Sequence, residues 1–89
     1  MGILGDMMKS VAKDSYELYY DRYAMDIPDM MDRLSYRNDS ELVSKVKNTM
    51  RAIKYIAANG SGSKASNARR LYEKYTDRYR RDFERYGIL

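Results

Sequence analysis

Apolar residues recur three and four positions apart in four stretches of this chain of 89 residues. This spacing places the apolar side chains on one face of an α-helix, so each stretch predicts an amphipathic helix. The sequence therefore predicts an all-α fold, a small bundle of three long helices plus one short helix in a single domain. The predicted helices span residues of about 6–24, 28–37, 40–59 and 65–86.

Local signals mark where these helices begin and end. Asp6 is a suitable cap for the first helix, and Pro28 suits the first turn of the second. The segment 38–41, Asn-Asp-Ser-Glu, combines a cap residue with a Glu in capping-box spacing, and Gly60 follows the third helix as a C-cap glycine. These residues predict four separate helices with short connections.

The Gly- and Ser-rich segment 60–64 predicts a flexible hinge before the last helix. A phosphate-binding loop is the alternative interpretation. That motif requires a Lys directly after its last Gly and a preceding strand, whereas Lys64 does not directly follow Gly62 and a helix precedes the segment. We therefore expect a hinge.

The first and last helices share the pattern Tyr-Glu-x-Tyr-x-Asp-Arg-Tyr, at residues 16–23 and again at 72–79. An ancestral duplication would give two equivalent helices packed with approximate twofold symmetry. Two helices drawn from a Tyr-, Arg- and Asp-rich composition could also match by chance, and the sequence leaves both interpretations open. The third helix has the most aliphatic face, so we expect it to be central and flanked by the two Tyr-containing helices.

Tyrosine is the unusual component of the apolar residues. Ile, Leu, Val and Phe make up only 15 of the 89 residues, whereas there are ten Tyr and seven Met. A buried Tyr must place its hydroxyl on a partner or in water, so many of these rings should lie at the rim of the core or in an interface. A domain with few aliphatic residues also gains stability from association. The candidate protein interface consists of Tyr16, Tyr19, Tyr20, Tyr23, Tyr72, Tyr75, Tyr79 and Tyr86. The alternative is that these rings fill the core of the bundle.

Composition also argues against several classes of function. The chain has no Cys and no His, which removes disulfides, thiolate chemistry and imidazole catalysis, so we expect neither an enzyme nor a bound cofactor. Asp26, Asp29 and Asp32 could suggest a cation site, but two of them are better explained as helix N-terminal residues, and no metal is predicted. Because no secretory signal or long apolar segment is present, we expect no membrane association and a cytoplasmic location.

Charge is distributed unevenly along the chain. Residues 1–33 carry a net charge of −3, while residues 34–62 carry +3 and residues 63–89 carry +4. Either the acidic first third lies against the basic later helices, or the later helices present a basic surface to an acidic partner. The candidate surface consists of Arg70, Lys74, Arg78, Arg81 and Arg85 on the last helix, with Lys47, Arg51 and Lys54 on the third.

The last helix also carries four carboxylates at three- and four-residue spacing from its cations, so much of this surface should be neutralised by intrahelical ion pairs. The sequence favours a non-enzymatic, regulatory or accessory protein-interaction module that binds a protein partner or itself as a homo-oligomer. The alternative function is nucleic-acid binding through the basic outer face of the last helix.

Overall fold

The computed structural model describes residues 15–89, and it is an all-α bundle with no strand in this range, as predicted. Helix α1 covers 15–23 and leads through a 3₁₀ turn, Ala24–Asp26, into α2, Ile27–Tyr36. Helix α3 follows at Ser40–Asn59, then α4 at Gly62–Arg78 and α5 at Arg80–Arg85. The predicted cap Asp6 and the predicted first helix before residue 15 lie outside the described residues.

Helix α2 begins close to its predicted start because Pro28 occupies the first turn, where a missing backbone N–H costs nothing. Its apolar residues at i, i+3, i+4 and i+7 are all buried. They form the face that α2 packs against α3, which explains why so short a helix is stable. These residues are Ile27, Met30, Met31 and Leu34.

Helix α3 is the central helix, as predicted, and packs against α2, α4 and the 3₁₀ turn. It starts at Ser40 because the carboxylate of Asp39 accepts hydrogen bonds from the backbone N–H groups of Glu41, at 3.0 Å, and Leu42, at 3.3 Å. Its core face is buried along most of its length and consists of Val46, Thr49, Met50, Ala52, Ile53 and Ile56.

The connection between α3 and α4 is shorter than the predicted segment 60–64, because α4 already begins at Gly62. Between α3 and α4, only Gly60 and Ser61 are non-helical. A Cβ on Gly60 would lie 2.6 Å from the carbonyl oxygen of Ile56, and Gly62 has a φ of +62°, so both positions of this tight turn require glycine. The two helices therefore form a helical hairpin that packs along its length.

The predicted last helix, 65–86, is divided at Tyr79 into α4 and α5. Tyr79 has φ −111° and ψ 21°, which is not helical, although neither Pro nor Gly marks the break. Tertiary contacts explain it, since Phe83 of α5 is fully buried and the Tyr86 hydroxyl donates to the carbonyl oxygen of Leu34 in α2, at 3.2 Å. These contacts hold α5 against α2.

Helix α5 is followed by a Schellman motif, close to residue 86, where the last helix was predicted to end. Gly87 has a φ of +69°, and its N–H donates to the carbonyl oxygen of Glu84 at 3.2 Å. The N–H of Ile88 donates to the carbonyl oxygen of Phe83 at 2.8 Å, and both of these side chains are buried. None of the helices in 15–89 is long and apolar enough to cross a membrane.

Candidate interaction surfaces

The tyrosines of the first repeat hold α1 on the rest of the bundle. The ring of Tyr16 lies 4.9 Å from the ring of Tyr55 in α3. The ammonium group of Lys64 lies 5.5 Å from the ring of Tyr20, and that of Lys45 lies 4.9 Å from the ring of Tyr23. These cation–π and ring contacts are made within the chain, and they leave the rings half-buried. Much of the surface of the first repeat is therefore in contact with other parts of the same chain.

Tyr75 of the second repeat lies in the core and not in an interface. Its side chain is only 2% exposed, so the prediction that it contributes to a binding surface is wrong. Its ring packs 6.3 Å from that of Tyr79, which in turn lies 5.8 Å from Phe83. Burial raises the pKa of Tyr75, and the nearby Tyr79, Asp26 and Tyr20 raise it further, whereas Arg78 lowers it.

The two repeats share one local contact, a tilted pair of tyrosine rings four residues apart. Tyr19 and Tyr23 lie 5.7 Å apart in α1, and their counterparts Tyr75 and Tyr79 lie 6.3 Å apart. Their environments differ, because Tyr19 is half-buried and Tyr75 is buried. The remaining candidate tyrosines of the second repeat region, Tyr72 and Tyr86, are half-buried as Tyr79 is.

The basic stripe, defined as Arg70, Lys74, Arg78, Arg81 and Arg85, lies on the outer side of α4 and α5. All five side chains are exposed. Arg70 and Lys74 lie opposite the face of α4 that buries Ala65, Ala68 and Tyr75, as helical periodicity requires, whereas Arg81 and Arg85 follow the break at Tyr79. Arg78 stacks over the ring of Tyr79 at 5.3 Å, and Arg85 over that of Tyr86 at 5.7 Å, which restricts two of the five cations.

The predicted ion pairs along this stripe do not form. Among the described residues, the only pair within α4 and α5 joins Arg80 to Asp77 at 3.9 Å, and Arg80 is not a member of the stripe. A pair between exposed side chains on one helix gains only a few tenths of a kcal/mol, about the cost of ordering the two side chains. The five cations of the stripe therefore face solvent without a direct ion pair to any described carboxylate.

The outer cations of α3, Lys47, Arg51 and Lys54, lie on a separate helix. Arg51 and Lys54 are exposed and Lys47 is half-buried. Two depressions along the basic stripe are lined by residues of α4 and α5 alone. The sequence grouped all eight cations as one candidate surface, and in the structure five of them lie on α4 and α5 and three on α3.

Internal charge complementarity accounts for little of the unequal charge distribution. Within residues 15–89, one ion pair joins the acidic first third to the basic later helices, between the carboxylate of Asp21 and the ammonium of Lys64 at 3.0 Å. Asp29 pairs with Arg33 of its own helix at 3.1 Å, while Asp26 and Asp32 are exposed without an ion pair to any described residue. Most of the acidic and basic side chains remain available to partners.

One exposed aromatic residue was not recognised from the sequence as a candidate for binding. Tyr36, at the end of α2, is 84% exposed and lines a depression of about 490 Å³ between α2 and α3, together with Arg33, Arg37 and Lys45. The available signal was its position two residues after the buried Leu34, which places it on the far side of α2. Tyr and Arg are the side chains that most often dominate binding energy at interfaces.

The fold and these surfaces define a small all-α bundle with a charged, tyrosine-rich exterior. Among residues 15–89, no group of three acidic side chains is arranged to hold a metal ion. No family model, curated protein or solved structure matches this chain.

Proposed function

We propose that this protein is a non-enzymatic interaction module of a regulatory or accessory kind, which docks an acidic surface of a protein partner on its basic stripe. The partner can be another protein or a second copy of the chain. The observation that carries the proposal is that five exposed cations follow one side of α4 and α5 without a carboxylate of the described residues within ion-pairing distance. A cytoplasmic location is part of the proposal.

Several features support a protein partner over a nucleic acid. Glu73, Asp77 and Glu84 are exposed on the same two helices as the stripe and interrupt its positive charge, which disfavours a uniformly charged phosphate backbone more than a protein surface that can place cations opposite them. The arginines Arg78 and Arg85 lie on tyrosine rings, which reduces the entropy lost when they bind, and Tyr and Arg are enriched at protein interfaces. Acidic side chains between the basic ones allow a protein surface of alternating charge to pair with specificity.

The test uses fluorescence anisotropy with a labelled glutamate-rich peptide and the full chain, at low and at high salt. The stripe variant is Arg70→Glu with Lys74→Glu. We expect it to bind the peptide about tenfold more weakly than the wild type, because two attractive charges become repulsive. High salt should weaken wild-type binding for the same reason.

The matched control is Lys47→Glu with Arg51→Glu on α3, which changes the net charge by the same amount. It should retain most of the affinity if the stripe is the binding surface. Equal losses in the two variants would show that only net charge matters, and no binding by the wild type would contradict the proposal.

Nucleic-acid binding is the second candidate because Arg–Tyr stacks beside unpaired cations also suit single strands. A labelled single-stranded oligonucleotide with the same net charge as the peptide serves as the comparison probe. This second function would be favoured over the first if the oligonucleotide bound more tightly than the peptide. Its binding should then be lost in the stripe variant and retained in the α3 variant.

A further inference from the structure

A groove of about 510 Å³ runs between α2 and the junction of α4 and α5. Asp29 and Asp32 of α2 form one rim, and Arg78 and Asp82 lie on the other rim. Met31 and Tyr79 also line the groove, and their burial places them towards its floor. The groove therefore combines an apolar floor with an acidic rim on α2 and a rim of mixed charge, with Arg78 as the one cation of its lining, on α4 and α5.

The charges on the two rims are available to a partner. Asp32 and Arg78 are exposed, and neither forms an ion pair with another described residue. Asp29 is bound to Arg33, but its carboxylate side chain is still 63% exposed. Asp82 shares the rim of Arg78 and is also exposed, and Arg80 and Arg81 lie beside it outside the groove.

An unpaired carboxylate on one side of a groove and an unpaired guanidinium on the other make the surface complementary to itself at these two positions. A twofold axis that runs along the groove, in the plane between two facing copies, exchanges the two sides. Asp32 of each copy then lies over the rim that carries Arg78 in the other, and the two apolar floors face each other. This is the self-complementary contact that twofold dimers require.

We propose that this groove is the contact surface of a symmetric homodimer, with Arg78 of each copy paired to Asp32 of the other. The inference rests on the proposed function and identifies the acidic partner of Arg78 as a second copy of this chain. Each side-chain pair occurs twice by symmetry, so a single substitution alters two contacts. The apolar floor is small, so the dimer is expected to be weak and to dissociate at high salt.

The test is sedimentation equilibrium of the full chain over a range of concentrations at low salt. The single variants Arg78→Asp and Asp32→Arg each place like charges opposite each other at both symmetric contacts. Each should raise the dimer dissociation constant by about tenfold or more. Both positions are exposed, and circular dichroism would verify that each variant keeps its helical content.

An equimolar mixture of the two single variants supplies the decisive outcome. In a mixed dimer, the two substituted side chains, one acidic and one basic, face each other at one contact. At the other contact the native Asp32 of one copy faces the native Arg78 of the other, so both contacts join opposite charges again. The mixture should dimerise about as well as the wild type. A pair formed within one chain could not be repaired by mixing, because each chain would still carry its own like charges.

A wild-type chain that stays monomeric at every concentration would overturn the inference, as would a mixture that associates no better than its components. Neither outcome would contradict the proposed function, because the test with the glutamate-rich peptide changes Arg70 and Lys74, which lie outside the groove. Loss of peptide binding with an intact dimer, or the reverse, would show which of the two proposals fails.

Discussion

Tyr75 differs from its repeat counterpart Tyr19 in how deeply its side chain is buried. Both rings pack on the tyrosine four residues later, yet only Tyr75 is withdrawn from water. An ionised phenol loses its hydration when it is buried, so the neutral form is favoured and the pKa of Tyr75 rises above its ordinary value of 10.0. Because the pKa of Tyr75 is raised, the free energy of unfolding depends on pH in the alkaline range.

The direction of this coupling follows from proton binding. Below about pH 10 the phenol is protonated in both the folded and the unfolded chain, so its full contribution to stability is present. As the pH rises further, the unfolded chain releases this proton more readily than the folded one. The free energy of unfolding should therefore fall above pH 10, until the pH passes the pKa of Tyr75 in the folded state.

We expect the variant Tyr75→Phe to lose less stability between about pH 9 and about pH 11.5 than the wild type, because it no longer carries the titrating group. Urea denaturation followed by circular dichroism at several pH values measures this difference. Tyr36→Phe removes an exposed phenol and is the matched control, expected to behave as the wild type does. Identical alkaline losses in all three proteins would contradict a perturbed Tyr75.

At the scale of the helices, α3 and α4 begin in different ways. The carboxylate of Asp39 accepts two backbone hydrogen bonds at the start of α3. Ser61 occupies the same position before α4, but its side chain makes no capping hydrogen bond. Because a capping bond satisfies backbone N–H groups that have no helical partner, only the first of these residues stabilises its helix through its side chain.

Replacing each cap residue by Ala tests this difference. Asp39→Ala should lower the free energy of unfolding by about 1 kcal/mol, the usual cost of losing an N-cap. Ser61→Ala should change it by less than about 0.5 kcal/mol. Urea denaturation at neutral pH measures both values, and a larger loss for Ser61 than for Asp39 would be inconsistent with the hydrogen bonds at the two helix starts.

The helix boundaries that depend on local chemistry were predictable from the sequence, and those that depend on tertiary contacts were not. Pro28 and Gly60 act through neighbouring backbone groups, and α2 begins and α3 ends beside them as predicted, whereas the capping box predicted over 38–41 is replaced by a cap at Asp39. The break at Tyr79 precedes the segment in which Phe83 is buried and Tyr86 reaches Leu34 of α2, and no residue near the break signals these contacts in advance. The start of α4 at Gly62 could not be predicted from the sequence, because Gly and Ser favour loops.

The candidate site was predictable in part for a similar reason. Helical periodicity placed the basic stripe on the outside of α4 and α5, where the structure has it. Periodicity could not separate the buried Tyr75 from half-buried tyrosines on the same face, nor show that exposed carboxylates would leave the stripe unpaired. Those features depend on which neighbouring helix covers each position and on where flexible side chains settle.

At the scale of the whole molecule, opposite charges are concentrated on different elements and largely left unpaired. Among the described residues, one ion pair, Asp21 with Lys64, joins the acidic first third to the later helices. The basic stripe lies along α4 and α5, and the acidic Asp29 and Asp32 lie on α2. A charge distribution of this kind steers partners towards one side of the molecule and makes association sensitive to salt.

The most direct test of the stripe as a binding surface is to map the contact site by nuclear magnetic resonance. Amide shifts of the ¹⁵N-labelled chain would be followed while the glutamate-rich peptide is added at low salt. If the stripe binds the peptide, the largest shift changes should cluster between residues 70 and 85 and leave the outer side of α3 unchanged. Changes centred on Lys47, Arg51 and Lys54, or spread evenly over the molecule, would contradict the assignment.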